Sequence, residues 1–263
     1  MSELYNKVFA IIVAGGSGVR MGLDIKKQYI KIHDAPIISL TLQVFDLCDF
    51  IDKIILVIPK EDKKDFEFRQ KNILLKNLKN AQKIKLVNGG NTRQESVYNG
   101  LLACESSNYQ DNKNNKDKED KIVIIHDGVR PFVSVQDIYK TVKALQGFNN
   151  FDNIDKCEAC ILAVPAFDSL KKTNDFNYIE HSLDRKNIWL AQTPQTFKYN
   201  LIKKAHEFAL TNGLLETDDA SLIEKLGIKV KIIEGSRLNI KITTPQDLEL
   251  AQLIYKKKFK EIL

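Results

Sequence analysis

Near the start of the chain, several residues are suited to holding and transforming a phosphate ester. The run Val13-Ala14-Gly15-Gly16-Ser17-Gly18-Val19-Arg20-Met21-Gly22 follows an apolar stretch, Val8-Phe9-Ala10-Ile11-Ile12, and leads to Lys26-Lys27-Gln28-Tyr29. Glycines let the backbone turn tightly and come close to a ligand. The N–H groups of such a loop, here residues 14–18, form a cradle for phosphate. Arg20 and Lys27 add two fixed positive charges within reach of it. The combination predicts a triphosphate held for chemistry at its phosphorus.

Three kinds of loop share these glycines. A dinucleotide-binding loop needs a third glycine where this chain has Met21. It also needs an acid after the second strand, where the chain reads Ile58-Pro59-Lys60. A Walker A loop needs Gly-Lys-Ser/Thr, which the sequence lacks. What remains, G-G-x-G-x-R-M-G followed by a lysine, is similar to the starter loop of nucleotidyltransferases.

The surrounding pattern predicts the scaffold. Apolar runs without alternation at 8–13, 53–58, 83–87, 121–126, 159–164 and 229–233 read as strands buried on both faces, as in a parallel sheet. Helix candidates lie at 37–48, 61–76, 93–104, 135–145, 198–211, 217–226 and 245–258. This order predicts one α/β domain over 1–263, a Rossmann-like, doubly wound and mostly parallel sheet with a site at the carboxyl ends of its strands. Residues 165–196 break the pattern. Two short extended runs, Pro165 to Lys171 and Ile188 to Gln192, flank a polar turn from Thr173 to Asn177 and read as a β-hairpin arm. The polar stretch 108–121 reads as a mobile insertion.

Bulk properties bound the function. The net charge of +6 suits anionic small molecules, and no basic stripe interleaved with aromatics points to nucleic acid. The N-terminus lacks a signal-peptide pattern and no apolar run reaches a membrane span, so a cytoplasmic location is expected. The four cysteines are Cys48, Cys104, Cys157 and Cys160. Cys157-x-x-Cys160 has no second half to complete a zinc site and reads as thiols at the start of a buried strand.

Further motifs follow in order along the chain. They are Gly89-Gly90-Asn91-Thr92-Arg93-Gln94-Glu95-Ser96-Val97, His126-Asp127-Gly128-Val129-Arg130-Pro131-Phe132, Asp184-Arg185-Lys186-Asn187-Ile188-Trp189 with Gln192-Thr193-Pro194-Gln195, Thr217-Asp218-Asp219-Ala220-Ser221, and Asn239-Ile240-Lys241-Ile242-Thr243. With the first loop they make the chain resemble the 2-C-methyl-D-erythritol 4-phosphate cytidylyltransferases over roughly residues 7–256. The resemblance implies that CTP and methylerythritol phosphate are joined with loss of pyrophosphate. It implies that Arg20 and Lys27 stabilise charge on the α-phosphate and pyrophosphate, that Lys241 orients and neutralises the nucleophile, and that Arg185 grips the second substrate. Ala14, Gly15, Gly16, Gly18 and Gly128 then border the nucleotide, and Gly90, Asn91 and Ser96 frame cytosine. Asp127, Arg130, Ser169, Thr193 and Thr217 then meet the acceptor, with Asp127 also suited to Mg²⁺. A homodimer with exchanged arms is implied too.

The departures from the family pattern are Gly15, Gly128 and Val129 for Ala, Ser169 for Thr, and Lys26 for Pro. Loss of proline removes a restraint beside Lys27 and predicts a more mobile segment. Plainer readings stand beside these. His126 reads as a strand-end structural histidine, and Trp189 as an anchor or subunit contact. Asp218 and Asp219 read as first-turn helix charges, and Thr217 as a helix cap, a ligand or both. The competing functions are a ribitol-5-phosphate cytidylyltransferase and a non-catalytic nucleotide-binding regulator.

Overall fold

The computed structural model describes residues 7–15, 25–63, 74–105, 121–147 and 157–260. Gly16, Gly18, Arg20, most of the helix candidate at 61–76 and nearly all of the insertion at 108–121 lie outside the described residues. In chain order the elements are β1 (Val8–Val13), β2 (Lys31–Ile32), β3 (Ala35–Pro36), α1 (Ile37–Asp46), β4 (Lys53–Ile58), β5 (Ile84–Asn88), α2 (Arg93–Glu105), β6 (Ile122–Asp127) and α3 (Val135–Gln146). Then follow β7 (Ala159–Pro165), β8 (Leu170–Thr173), β9 (Ile179–Leu183), β10 (Trp189–Lys198), α4 (Tyr199–Thr211), α5 (Asp219–Lys225), β11 (Lys231–Glu234) and α6 (Pro245–Lys260).

Seven strands form one sheet in the order β11-β7-β10-β6-β1-β4-β5. All neighbours are parallel except β10, which runs antiparallel to both β6 and β7. The apolar runs are continuous because both faces of the sheet are covered. Val8, Ala10 and Ile12 of β1 pack in a cluster with Phe45 of α1 and Ile138 and Val142 of α3. Phe9 and Ile11, pointing the other way, pack with Val97 and Leu101 of α2 and Ile202 of α4. A third cluster joins Val129 and Phe132 after β6 to Ile242 and to Ala251 and Ile254 of α6. It fastens the end of the chain beside the strand ends. Among the described residues, no helix is long and apolar enough to cross a membrane.

All six expected strands are present; β10 was not foreseen. The run from Ile188 to Gln192 was read as the return limb of the hairpin, yet Trp189 begins a ten-residue strand in the central sheet. The hairpin itself pairs β8 with β9. The strand lacked an apolar signature because its centre is polar and internally satisfied. Thr196 Oγ1, for example, donates to Thr141 Oγ1 at 2.8 Å. The hairpin projects from the sheet with its apolar side chains uncovered: Phe176 is 80% exposed and Tyr178 74%.

Candidate active site

The carboxyl ends of β1, β5 and β6 converge on a cleft of about 340 Å³. Among its lining residues are Ala14 and Gly15 after β1, Gly90, Asn91, Arg93 and Ser96 after β5, Asp127 at the end of β6, and Lys27 and Lys241. This is where an open α/β sheet places its ligand.

The β5–α2 corner is built by local hydrogen bonding. Thr92 caps α2: its hydroxyl accepts from the Glu95 N–H at 3.0 Å. Glu95 reaches back to accept from the Asn91 N–H at 2.7 Å. Ser96 Oγ accepts from the Gly90 N–H at 3.1 Å. A Cβ at Gly90 would stand 2.3 Å from Glu95 Cβ, so the tight corner requires glycine. Gly90, Asn91 and Ser96 therefore form one small-residue wall of the cleft.

Asp127 is the electrostatic centre. Its side chain is 9% exposed and meets three cations: Arg93 Nε at 3.2 Å, Arg130 Nε at 3.4 Å and Lys241 Nζ at 2.9 Å. Burial alone would raise its pKa, but Arg93, Lys241 and Arg130 outweigh it and hold the carboxyl well below the usual range. Lys241 arrives from the far end of the sequence because the preceding segment is stitched down. The Asn239 carbonyl accepts from Arg130 Nη1 at 2.9 Å, and the Ile242 N–H donates to the Val129 carbonyl at 3.0 Å.

Beneath Asp127 lies a fixed chain of hydrogen bonds. The Asp127 N–H donates to Thr193 Oγ1 at 3.1 Å, and Thr193 Oγ1 lies 3.0 Å from His126 Nδ1. His126 Nε2 lies 3.0 Å from the Arg130 carbonyl. A carbonyl only accepts, so Nε2 carries the hydrogen and Nδ1 accepts from Thr193. The Thr193 O–H is therefore committed to His126, leaving only acceptor capacity. Burial lowers the His126 pKa to about 4. The ring thus has the structural role expected of it.

This gives a pH prediction. The unfolded chain protonates this histidine below its ordinary value of 6.5, whereas the native state does so only near 4. Acid therefore favours unfolding between these values, by about 3 kcal/mol at the lower end. Urea midpoints measured from pH 7 to 4 are expected to fall accordingly. A His126→Gln chain is expected to show a shallower slope, and an unchanged slope would refute the assignment.

Sequence reasoning missed the support behind Asp127. Arg93 also donates from Nη1 to Asp219 Oδ2 at 2.8 Å. Asp219 is 1% exposed, and its other oxygen lies 3.1 Å from His206 Nε2. Burial would raise its pKa, yet Arg93 and His206 hold it below the ordinary value. Gln195 Oε1 accepts from the Asp219 and Ala220 N–H groups at 3.1 Å each. Arg93 opens α2, where a positive charge opposes the helix dipole. That misplaced charge was the available signal.

The remaining expected residues are less centred. Gly128 packs under the cleft, its N–H donating to the Val13 carbonyl at 2.8 Å. Thr217 lines a separate cavity of about 480 Å³ with Asn187, Trp189 and Ser221. It is not a helix cap: Asp218 caps α5 by accepting from the Ser221 N–H. Ser169 and Arg185 sit exposed at the hairpin base, where Arg185 Nη1 donates to the Phe167 carbonyl. One chain does not bring either of them among the residues lining the cleft.

The model of the 2-C-methyl-D-erythritol 4-phosphate cytidylyltransferase family matches residues 8–257. The chain belongs to that family. A relative of that name from Geotalea uraniireducens (strain Rf4) is 39% identical over 251 residues, covering 95% of this chain and 97% of the relative. Another from Clostridioides difficile (strain 630) is 41% identical over 244 residues, covering 93% and 92%. Among solved structures, the Francisella tularensis 2-C-methyl-D-erythritol 4-phosphate cytidylyltransferase superposes with a TM-score of 0.72 at 35% identity, covering 94% of this chain and 99% of that one. The 4-diphosphocytidyl-2C-methyl-D-erythritol synthase from Anaerococcus prevotii does so at 0.74 and 31% identity, covering 95% and 96%. One departure from the family pattern has a local cause. A Cβ at Gly128 would stand 2.8 Å from Ile38 Cδ1 and 3.1 Å from Ala14 Cβ.

Proposed function

We propose that the protein transfers the cytidylyl group of CTP to 2-C-methyl-D-erythritol 4-phosphate, forming 4-diphosphocytidyl-2-C-methyl-D-erythritol and pyrophosphate. The observation that carries the reading is the placement of Lys27, Lys241, Arg93 and Asp127 around one cleft at the strand ends, in a chain of this family.

Two polyanions must meet, so the chemistry is charge neutralisation and positioning. An oxygen of the acceptor phosphate forms a bond to the α-phosphorus of CTP as the bond to pyrophosphate breaks. The phosphate is already an anion and needs no general base. Lys27 faces the nucleotide phosphates, with Arg20 as its expected companion. Lys241, pre-aimed by Asp127, neutralises the attacking phosphate at no cost in reorganisation. The corner of Gly90, Asn91 and Ser96 excludes a purine by size and offers main-chain groups to a cytosine edge.

Asp127 is the carboxylate among the described lining residues, and no described cluster of three His, Cys, Asp or Glu is present. Both oxygens of Asp127 already meet Arg93, Arg130 and Lys241, so Mg²⁺ would be held chiefly by its waters and the substrate phosphates, with Asp127 as an outer partner. When bound, Mg²⁺ would neutralise phosphate charge beside Asp127.

We further propose a homodimer in which Ser169 and Arg185 of each arm serve the partner's cleft, with Thr217 meeting the acceptor from the neighbouring cavity and Thr193 fixing Asp127 from beneath. The support is the uncovered apolar hairpin and the position of both arm residues outside their own cleft. Mixed dimers of Arg185→Ala and Lys27→Ala chains are expected to regain activity that neither parent has. No recovery after confirmed subunit exchange would refute sharing. Partners are small molecules rather than nucleic acid or membrane, and the location is the cytoplasm, where CTP is made.

Pyrophosphate release from CTP and Mg²⁺ tests the reading, with methylerythritol 4-phosphate and ribitol 5-phosphate supplied separately. Release with the first is expected. A hundredfold preference for the second, or silence with both, would overturn it.

A further inference from the structure

We propose that Lys26 is a positioning residue, whose ionic clip to Asp62 holds the Lys27 turn in its reactive orientation; this rests on the role of Lys27 given above. Lys26 Nζ donates to Asp62 Oδ1 at 2.6 Å and to Glu61 Oε1 at 2.8 Å. The Tyr29 hydroxyl donates to the other Asp62 oxygen at 3.0 Å. One carboxylate thus grips both ends of the one-turn 3₁₀ helix Lys27–Tyr29. Consecutive lysines face different ways: Lys26 toward Asp62, Lys27 toward the cleft.

The turn needs such a grip. It is closed by the Tyr29 N–H to the Lys26 carbonyl at 2.9 Å and the Ile30 N–H to the Lys27 carbonyl at 3.2 Å. So short a 3₁₀ turn is weak alone. Gln28, at its centre, is buried, and its amide atoms have no hydrogen-bond partner among the described residues. Among the described residues its side chain therefore adds no polar tether.

Asp62 is a sound anchor because it is joined to the sheet. It follows β4 through Pro59, whose carbonyl accepts from the Asp62 N–H at 3.0 Å. Its side chain is 16% exposed, against 70% for Glu61. The more shielded pair carries the restraint, and the exposed one contributes little. Burial works against the charged lysine, but its hydrogen bonds to Asp62 and Glu61 overcome that cost and raise its pKa.

The backbone supports the same conclusion. Lys26 has φ −59° and ψ 133°, values that a proline adopts without strain. A proline ring would restrain this backbone covalently, whereas here the restraint is ionic. The expected mobility of the segment is thereby countered by a different device.

The test combines Lys26→Ala, Asp62→Asn and Lys26→Pro. Hydrogen exchange at the Tyr29 and Ile30 amides, measured without substrate, reads the turn; kcat and the CTP KM read its consequence. Lys26→Ala and Asp62→Asn are expected to speed exchange about tenfold and lower kcat about tenfold, with KM changed less than about twofold. Lys26→Pro is expected to bring both back to within about threefold of the parent. Unchanged exchange in Lys26→Ala would overturn the clip, and faster exchange with unchanged kcat would overturn its positioning role. A parent chain that fails to release pyrophosphate refutes the proposed function instead, and exchange still judges whether the clip holds the turn.

Discussion

Lys27→Ala is expected to lower kcat about 10²- to 10³-fold while weakening CTP binding less than about fivefold. Lys27 lines the cleft from a turn fixed on a separate segment from the glycine loop. A charge placed there gains most when negative charge builds on the α-phosphate and the leaving pyrophosphate. On the proposed site the starting nucleotide is also held by the glycine-loop amides and the Gly90 corner, so its affinity is expected to respond less. Steady-state kcat and calorimetric titration with CTP separate the two quantities. A parallel loss of both would make Lys27 a ground-state anchor and remove it from the transition state. The regulator reading makes the opposite prediction, since a binder has no use for charge reserved for reaction.

The second large effect is expected at Arg93. Arg93→Met would remove the one cation that bridges Asp127 and Asp219 while keeping much of the side chain's bulk. Asp219 is 1% exposed, so among its described partners the carboxylate would be left with His206 alone. Breaking such a pair from one side costs about 3–5 kcal/mol. Urea unfolding of Arg93→Met is expected to show that loss. The double variant Arg93→Met/Asp219→Asn is expected to recover part of it, because the stranded charge is gone. A single variant within about 0.5 kcal/mol of the parent would show that the network carries no stability. In the parent, both carboxyls have depressed pKa values. Their stabilisation is therefore complete above the ordinary value near 4 and is lost as the pH falls below it.

The sheet was legible because burial on both faces writes itself as unbroken runs such as Val8 to Val13 and Ile122 to Ile125. The cleft was legible because its residues lie at the ends of those runs, and Lys241 was placed by its motif. Strand β10 was hidden because Gln192, Thr193, Gln195 and Thr196 are buried polar residues, satisfied by partners distant in sequence. Arg93 and Asp219 were hidden for a similar reason. They are 126 residues apart, and only the packed chain shows that each neutralises the other. The contact of Lys26 with Asp62 was hidden because the two lie 36 residues apart.

Strand β10 has an irregular register between Ala191 and Gln195. Its outer half leads to the hairpin, and its inner half is ruled against β6 and β7. The irregularity spans Thr193, whose hydroxyl sits under Asp127. A bulge bends its strand locally, so the two halves of β10 follow β7 in different registers. The arm can thus leave the sheet at an angle of its own, while the rung beneath the carboxylate keeps its pairing.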